Sequence, residues 1–166
     1  MQVTFESDTV PLLDRIVAEA FPGKRGFEAW RALLQAHATL MRQLATELVE
    51  ETGLTLGDFD VLVQLASVGG ELRMTELAAR VFSSRSNLTR RIDRLVTEGL
   101  VQRTSSDADA RGVVVALTDA GVARLAETAP VHLRGVASLF VEPLSDEELA
   151  VLERALGKVT GDCSFG

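Results

Sequence analysis

Apolar residues recur at helical spacing over most of this chain, and the longest such run lies between Phe27 and Thr52. Its apolar positions alternate between steps of four and three residues, at Trp30, Leu34, His37, Met41, Leu44 and Leu48. That alternation is the a/d spacing of a helix that packs lengthwise against a partner helix. The run is shorter than the three to four heptads that indicate a coiled coil. We therefore predict a dimerisation or bundle helix here.

Shorter helices are predicted along the rest of the chain, each with a recognisable beginning or end. They lie over residues 11–21, from a cap at Thr55 to Gly69-Gly70, over Glu76–Val81 with a cap at Thr75, from a cap at Thr118 to Phe140, and after a capping box of Ser145 and Glu148. Pro130 is expected to kink its helix without ending it, because the apolar period resumes beyond it.

Residues 83–118 combine an arginine-rich helix with a β-hairpin. One side of the helix is an apolar stripe, which Gly99 ends because glycine readily takes positive φ. The stripe consists of Leu88, Ile92, Leu95 and Val96, and the other faces carry Arg85, Ser86, Asn87, Thr89, Arg90, Arg91 and Arg94. Alternating residues then predict strands at Val101–Ser105 and Gly112–Thr118, joined by an Asp-rich turn. Two short helices followed by such a hairpin form a winged helix.

The predicted fold is mainly α, with a winged helix-turn-helix lobe over residues 55–118 and a small β-hairpin wing. Dimerisation helices at 27–52 and 119–160 flank this lobe, within one domain over residues 1–166.

Charge and cysteine content limit the function classes. The net charge is −7, yet residues 71–111 hold eight arginines against six carboxylates, so a basic face can steer DNA to one surface. One cysteine, Cys163, cannot form an internal disulfide, which favours a reducing compartment. With no signal peptide and no apolar run of about 20 residues, we expect a cytoplasmic protein and no membrane partner.

Four segments together resemble the MarR family of bacterial winged-helix regulators, over roughly Trp30 to Val159. They are LTLGDFDVLVQLA (54–66), RMTELAARV (73–81), SRSNLTRRIDRLVTEGLV (84–101) and DADARGVVVALTDAG (107–121). The last resembles the wing signature of the family, here Asp109, Arg111, Leu117, Thr118 and Gly121. The resemblance implies an obligate homodimer with intertwined terminal helices. It also implies a pseudo-palindromic double-stranded DNA operator, usually repression, and release by a small ligand or an oxidant.

The recognition helix supplies the candidate DNA contacts. Its N-terminal end, where Ser84, Arg85, Ser86 and Asn87 lie, is expected to enter the major groove, with Arg85 suited to guanine and Asn87 to adenine. Thr89, Arg90 and Arg94 are better placed for phosphates. By resemblance to the family, Arg111 of the wing contacts the minor groove or a phosphate. The alternative for each residue is a solvated charged face.

Asp93 is a special case because a carboxylate would repel phosphate. By resemblance to the family it pairs with Arg111 and ties the hairpin to the helix. The alternative is a pair within the helix, with Thr89, Thr97 or a neighbouring arginine.

Family members often bind phenolic or aromatic carboxylate ligands near the first long helix. The residues suited to such an effector pocket are Trp30, His37, Met41 and Phe59. The alternative for His37 is a hydrogen-bonded histidine at the dimer interface. Both interpretations remain open.

Other functions find little support. No catalytic motif, cofactor motif or metal-ligand spacing is present, since two distant histidines and a terminal cysteine cannot form a site. A protein–protein winged helix would carry apolar anchors on residues 84–94, where arginine, serine and threonine stand instead. Redox sensing by Cys163 is the remaining alternative, although nothing nearby except Lys158 would lower its pKa.

Overall fold

A computed structural model describes residues 9–21, 25–81, 85–105 and 113–161. These residues belong to two compact units, residues 1–42 and 43–166. The helices are α1 (Thr9–Ala20), α2 (Arg25–Thr52), α3 (Leu56–Ala66), α4 (Met74–Arg80), α5 (Arg85–Thr97), α6 (Asp119–Val136) and α7 (Asp146–Thr160), with a π-helical segment at Ala137–Val141. The strands are β1 (Glu71–Arg73), β2 (Val101–Ser105) and β3 (Val113–Leu117). The mainly α winged-helix prediction is confirmed.

The long predicted helix is confirmed as α2, but its apolar seam has two environments. Leu44 and Leu48 are buried, whereas Trp30 is 53 % exposed and Leu34 is 47 % exposed. In the N-terminal unit, the rings of Phe21 and Phe27 lie 5.6 Å apart. The first half of the seam therefore leaves large apolar side chains in solvent.

The helix-turn-helix is built as predicted, apart from the start of α4. Thr55 caps α3, since its hydroxyl accepts a hydrogen bond from the Asp58 N–H. The prediction that Thr75 caps α4 is wrong, because the N-cap is Arg73. The Arg73 N–H donates to the Glu76 carboxylate at 3.0 Å, which extends the first turn towards the N-terminus.

The wing is part of a three-stranded antiparallel sheet in the order β1-β3-β2. β2 and β3 form the predicted hairpin, with Arg103 opposite Val115, and the turn at 106–112 lies outside the described residues. The third strand, β1, lies immediately before α4, pairs with β3 and joins the helix-turn-helix to the wing.

The core lies beneath the helix-turn-helix and is formed by α3, α4, α5, the sheet and the end of α2. The predicted stripe of α5 is confirmed, since Leu88, Ile92 and Leu95 are fully buried. They pack with further fully buried residues: Leu48, Val61, Leu62, Leu65, Leu77 and Val115. Gly99 ends α5 at φ +73°. The orientation of α5 is therefore determined by apolar packing.

The connection from the wing into α6 depends on two residues of the wing signature. The Thr118 hydroxyl donates to the Gly99 carbonyl at 2.6 Å and accepts from the Gly121 N–H at 3.0 Å. A Cβ at position 121 would overlap the Leu100 carbonyl oxygen. Only glycine therefore lets α6 begin directly against the end of the recognition helix.

The predicted C-terminal helices are present with a local change of geometry. Pro130 lies inside α6, which continues to Val136 and then passes into the π-helical segment. Ser145 and Glu148 form the predicted capping box of α7, with the Ser145 N–H 2.9 Å from the Glu148 carboxylate. None of the described helices is long and apolar enough to cross a membrane.

Candidate DNA-binding surface

The polar face of α5 lies opposite its buried stripe. Asn87, Thr89 and Arg90 are all exposed there. Among the described residues, the Arg90 guanidinium forms no ion pair, so it is available to an anion. This side of α5 offers amide, hydroxyl and guanidinium groups, which suit the edges of bases and phosphate oxygens.

Other predicted contacts fall outside the described parts of the structure. Ser84 and Arg111 are not among the described residues, and nothing is described of the side chains of Arg85 and Ser86, which open α5. The roles of these four residues remain predictions. Cys163 also lies outside the described residues.

Arg94 binds a carboxylate of α3 that the sequence does not predict as its partner. Its Nη2 binds Oδ2 of Asp58 on α3, and its side chain remains 48 % exposed. The hydrogen bond with Asp58 raises the pKa of Arg94 above its ordinary value. Arg94 therefore holds α5 against α3, while its exposed part still faces solvent.

Asp58 is the centre of a buried polar cluster that joins α3 to α5. Only 4 % of its side chain is exposed. Its Oδ1 lies 3.2 Å from Nη1 of Arg91, and its Oδ2 accepts from the Thr55 hydroxyl at 2.5 Å. Arg91 also donates to the Thr55 hydroxyl at 3.2 Å. One carboxylate thus binds two arginines of the recognition helix, and we call Thr55, Asp58, Arg91 and Arg94 the Asp58 cluster.

Gly57 provides the space for this cluster. A Cβ at position 57 would overlap the guanidinium of Arg91. The sequence alone places Arg91 among several residues on the polar face of α5 and indicates no binding role for Gly57 or Asp58. The sequence shows a carboxylate in the first turn of α3 and several arginines on α5, but it does not indicate which of these arginines pairs with the carboxylate.

Asp93 is bound by the hairpin, through a different arginine from the one expected. Its Oδ1 lies 2.6 Å from Nη1 of Arg103 on β2. The Thr97 hydroxyl donates only to the backbone carbonyl of Asp93, at 2.9 Å. The link between helix and hairpin is thus present through Arg103, and the pairing with Arg111 remains a prediction.

The predicted effector residues have different environments. Trp30, His37 and Met41 belong to the N-terminal unit and are exposed. Phe59 belongs to the C-terminal unit, is buried, and packs against the ring of His132 with centroids 4.7 Å apart. The effector pocket remains a prediction.

A separate cavity of about 370 Å³ lies between the end of α2 and the end of α6. Its lining is part polar and part apolar and includes the ion pair between Arg134 and Glu51, whose atoms lie 2.7 Å apart. The described residues contain no group of three or more histidine, cysteine, aspartate or glutamate side chains that could hold a metal ion.

Comparison with known proteins shows which family this chain belongs to. The MarR family model matches residues 52–112. An HTH-type transcriptional regulator of Bacillus cereus is 32 % identical over 117 residues, covering 70 % of this chain and 77 % of the relative.

Two solved structures from Streptomyces coelicolor share the fold. AbsC, a MarR family transcriptional regulator, has a TM-score of 0.74 and 33 % identity, covering 80 % of this chain and 90 % of AbsC. Sco3205, a MarR family transcriptional regulator in complex with DNA, has a TM-score of 0.74 and 32 % identity, covering 80 % of this chain and 86 % of Sco3205. This chain therefore belongs to the MarR family of DNA-binding, winged-helix transcriptional regulators.

Proposed function

We propose that this protein is a homodimeric repressor that binds a pseudo-palindromic operator in double-stranded DNA. The observation that carries the proposal is the arrangement of α5. Leu88, Ile92 and Leu95 of its apolar stripe are fully buried and Asp58 binds two arginines of α5, while Asn87, Thr89 and Arg90 stay exposed. A helix packed on one side with an exposed polar face on the other is what major-groove recognition requires.

Within this proposal the residues of α5 have separate tasks. Asn87 suits a bidentate contact to adenine, as Arg85 suits guanine. Arg90 and Thr89 lie along the flank of the helix and would bind phosphates, which fix register without reading sequence. Arg94 would contribute mainly by holding the helix, since Asp58 already binds its guanidinium.

Exposed apolar side chains support a dimer. The first half of the α2 seam is exposed, and large apolar residues are also exposed along α6, the π-helical segment and α7. They are Trp30, Leu33, Leu34, Met41, Val122, Leu133, Phe140, Val141, Val151, Leu156 and Val159. An apolar surface on this scale favours burial against a second copy. Two winged helices on one dimer would then reach half-sites about 10 bp apart.

Release by an aromatic or phenolic ligand is a further part of the proposal. The side chains of Trp30, His37, Met41 and Phe59 are its candidate contacts, and a dimer-interface role for His37 remains the alternative. Titration of the operator complex with aromatic acids tests this part. No weakening of operator binding by any of them would contradict it.

Genomic selection of bound fragments, followed by affinity measurements on the selected site, tests DNA recognition. Replacing Asn87 with Ala should cost about 1–3 kcal/mol of binding free energy and relax specificity at one base pair. Replacing Arg90 with Ala should weaken all sequences alike and lower the salt dependence by about one phosphate contact.

Arg154→Ala on α7 is the matched control, because it removes an exposed arginine far along the chain from α5. An Asn87→Ala variant with unchanged base preference would contradict major-groove reading by this residue. Failure of the wild-type protein to select any DNA would contradict the proposed function itself.

A further inference from the structure

His132 connects α6 to the helix that holds the recognition helix. It lies in α6, between Pro130 and the π-helical segment. Its ring packs against Phe59 of α3 at 4.7 Å between centroids, with the planes tilted by 44°. Phe59 is only 6 % exposed and directly follows Asp58, which binds Arg91 and Arg94. One turn of α3 thus contacts α5 through Asp58 and α6 through Phe59.

The buried position of one ring nitrogen favours a neutral imidazole. Nδ1 of His132 is buried and has no hydrogen-bond partner in the described structure. Burial lowers the pKa of His132, and no neighbouring charge opposes this effect. A proton on Nδ1 would be buried without a hydrogen-bond acceptor, which disfavours the charged ring.

The ionisable groups on the surrounding elements do not offer such an acceptor. On α3, Asp58 binds the two arginines of α5, and Gln64 donates to Asp60. On α6, Arg124 pairs with Glu127 and Arg134 pairs with Glu51 of α2. Strand β3 has no ionisable side chain. The remaining carboxylates near the ends of α2 and α6 are Glu50, which is exposed, and Glu47 and Glu142, which line the cavity, and none of them bonds to Nδ1 of His132.

We propose that His132 is a positioning residue, whose neutral ring holds α6 against α3 and thereby keeps the recognition helix in its DNA-binding orientation. Acidification would break this contact and weaken operator binding. The inference rests on the proposed DNA-binding function. Because the folded protein favours the neutral ring, the contact is complete above the ordinary histidine pKa of 6.5. It is lost as the pH falls further, through the lowered pKa of His132 in the folded protein.

The test is operator affinity measured by fluorescence anisotropy from pH 5.5 to 8.0 at constant ionic strength. Arg154→Ala, which removes an exposed charge of α7, provides a control. We expect wild-type affinity to fall roughly tenfold between pH 7.5 and 5.5. Uptake of one proton per chain limits the loss of affinity to about tenfold per pH unit for each chain bound. His132→Phe should keep the ring contact and wild-type affinity at pH 7.5, but lose the pH dependence.

Arg154→Ala should keep the full pH dependence. A second variant, His132→Leu, and the pH dependence of the melting temperature cover the case in which the phenylalanine variant folds poorly. Wild-type binding that is present at pH 7.5 and unchanged at pH 5.5 would overturn the inference. So would a pH dependence that survives in both His132 variants or disappears in Arg154→Ala. Absence of operator binding at pH 7.5 would instead contradict the proposed function.

Discussion

Removal of the Asp58 carboxylate tests how the recognition helix is held. In Asp58→Ala, Arg91 loses a partner at 3.2 Å and Arg94 loses its contact with Oδ2. The Thr55 hydroxyl loses its acceptor as well. The buried apolar stripe of α5 is untouched, so the variant should still fold while its recognition helix becomes less firmly positioned.

The expected loss of stability follows from the exposure of each partner. The Arg91 side chain is 21 % exposed, and a hydrogen bond between charged groups at such a site contributes about 1.5–3 kcal/mol. The Arg94 side chain is 48 % exposed, so its pair contributes only about 0.2–1 kcal/mol. The free energy of unfolding should therefore fall by about 2–4 kcal/mol. This is at or below the cost of about 3–5 kcal/mol for breaking a fully buried pair.

Thermal and urea denaturation of wild type and Asp58→Ala measure this loss, and operator binding is measured well below the melting temperature. We expect affinity to fall at least about tenfold, since a change of 1.4 kcal/mol in orienting α5 corresponds to that factor. A double-mutant cycle with Arg91→Met isolates the pairwise energy. Glu50→Ala, which removes an exposed carboxylate of α2, is the control and should change neither quantity.

A stability loss below about 0.5 kcal/mol, the size typical of an exposed surface substitution, would refute the reasoning. Wild-type operator affinity in a folded, destabilised Asp58→Ala variant would show that the Asp58 cluster supports stability alone.

Two further substitutions test other contacts of the lobe. Gly121→Ala forces a methyl group onto the Leu100 carbonyl oxygen, so we expect a loss of about 1–3 kcal/mol in urea denaturation, and full stability would contradict the close approach of α6. Arg103→Met removes the partner of Asp93, and since both side chains are partly exposed the stability cost should stay below about 1 kcal/mol. Operator affinity should nevertheless fall because the hairpin loses its link to α5, and an unchanged dissociation constant would exclude a positioning role for this pair.

The sequence by itself determined the features that depend on neighbouring residues. Apolar spacing predicted α2, α3 and the buried stripe of α5, and caps at Thr55, Thr118 and Ser145 were predicted from residue type. These features were predictable because helix periodicity and capping involve residues within one or two turns. The polar face of α5 follows directly, since it lies opposite the stripe.

The tertiary structure alone decided which polar groups meet across the fold. Asp58 and Arg91 lie 33 positions apart and Asp58 and Arg94 lie 36 apart, and several arginines of α5 were equally plausible partners. The pairing of Asp93 with Arg103 and of Phe59 with His132 could not be predicted for the same reason. Charge and ring contacts depend on distances of a few ångströms between packed elements, whereas the linear pattern specifies only which face of each element is buried.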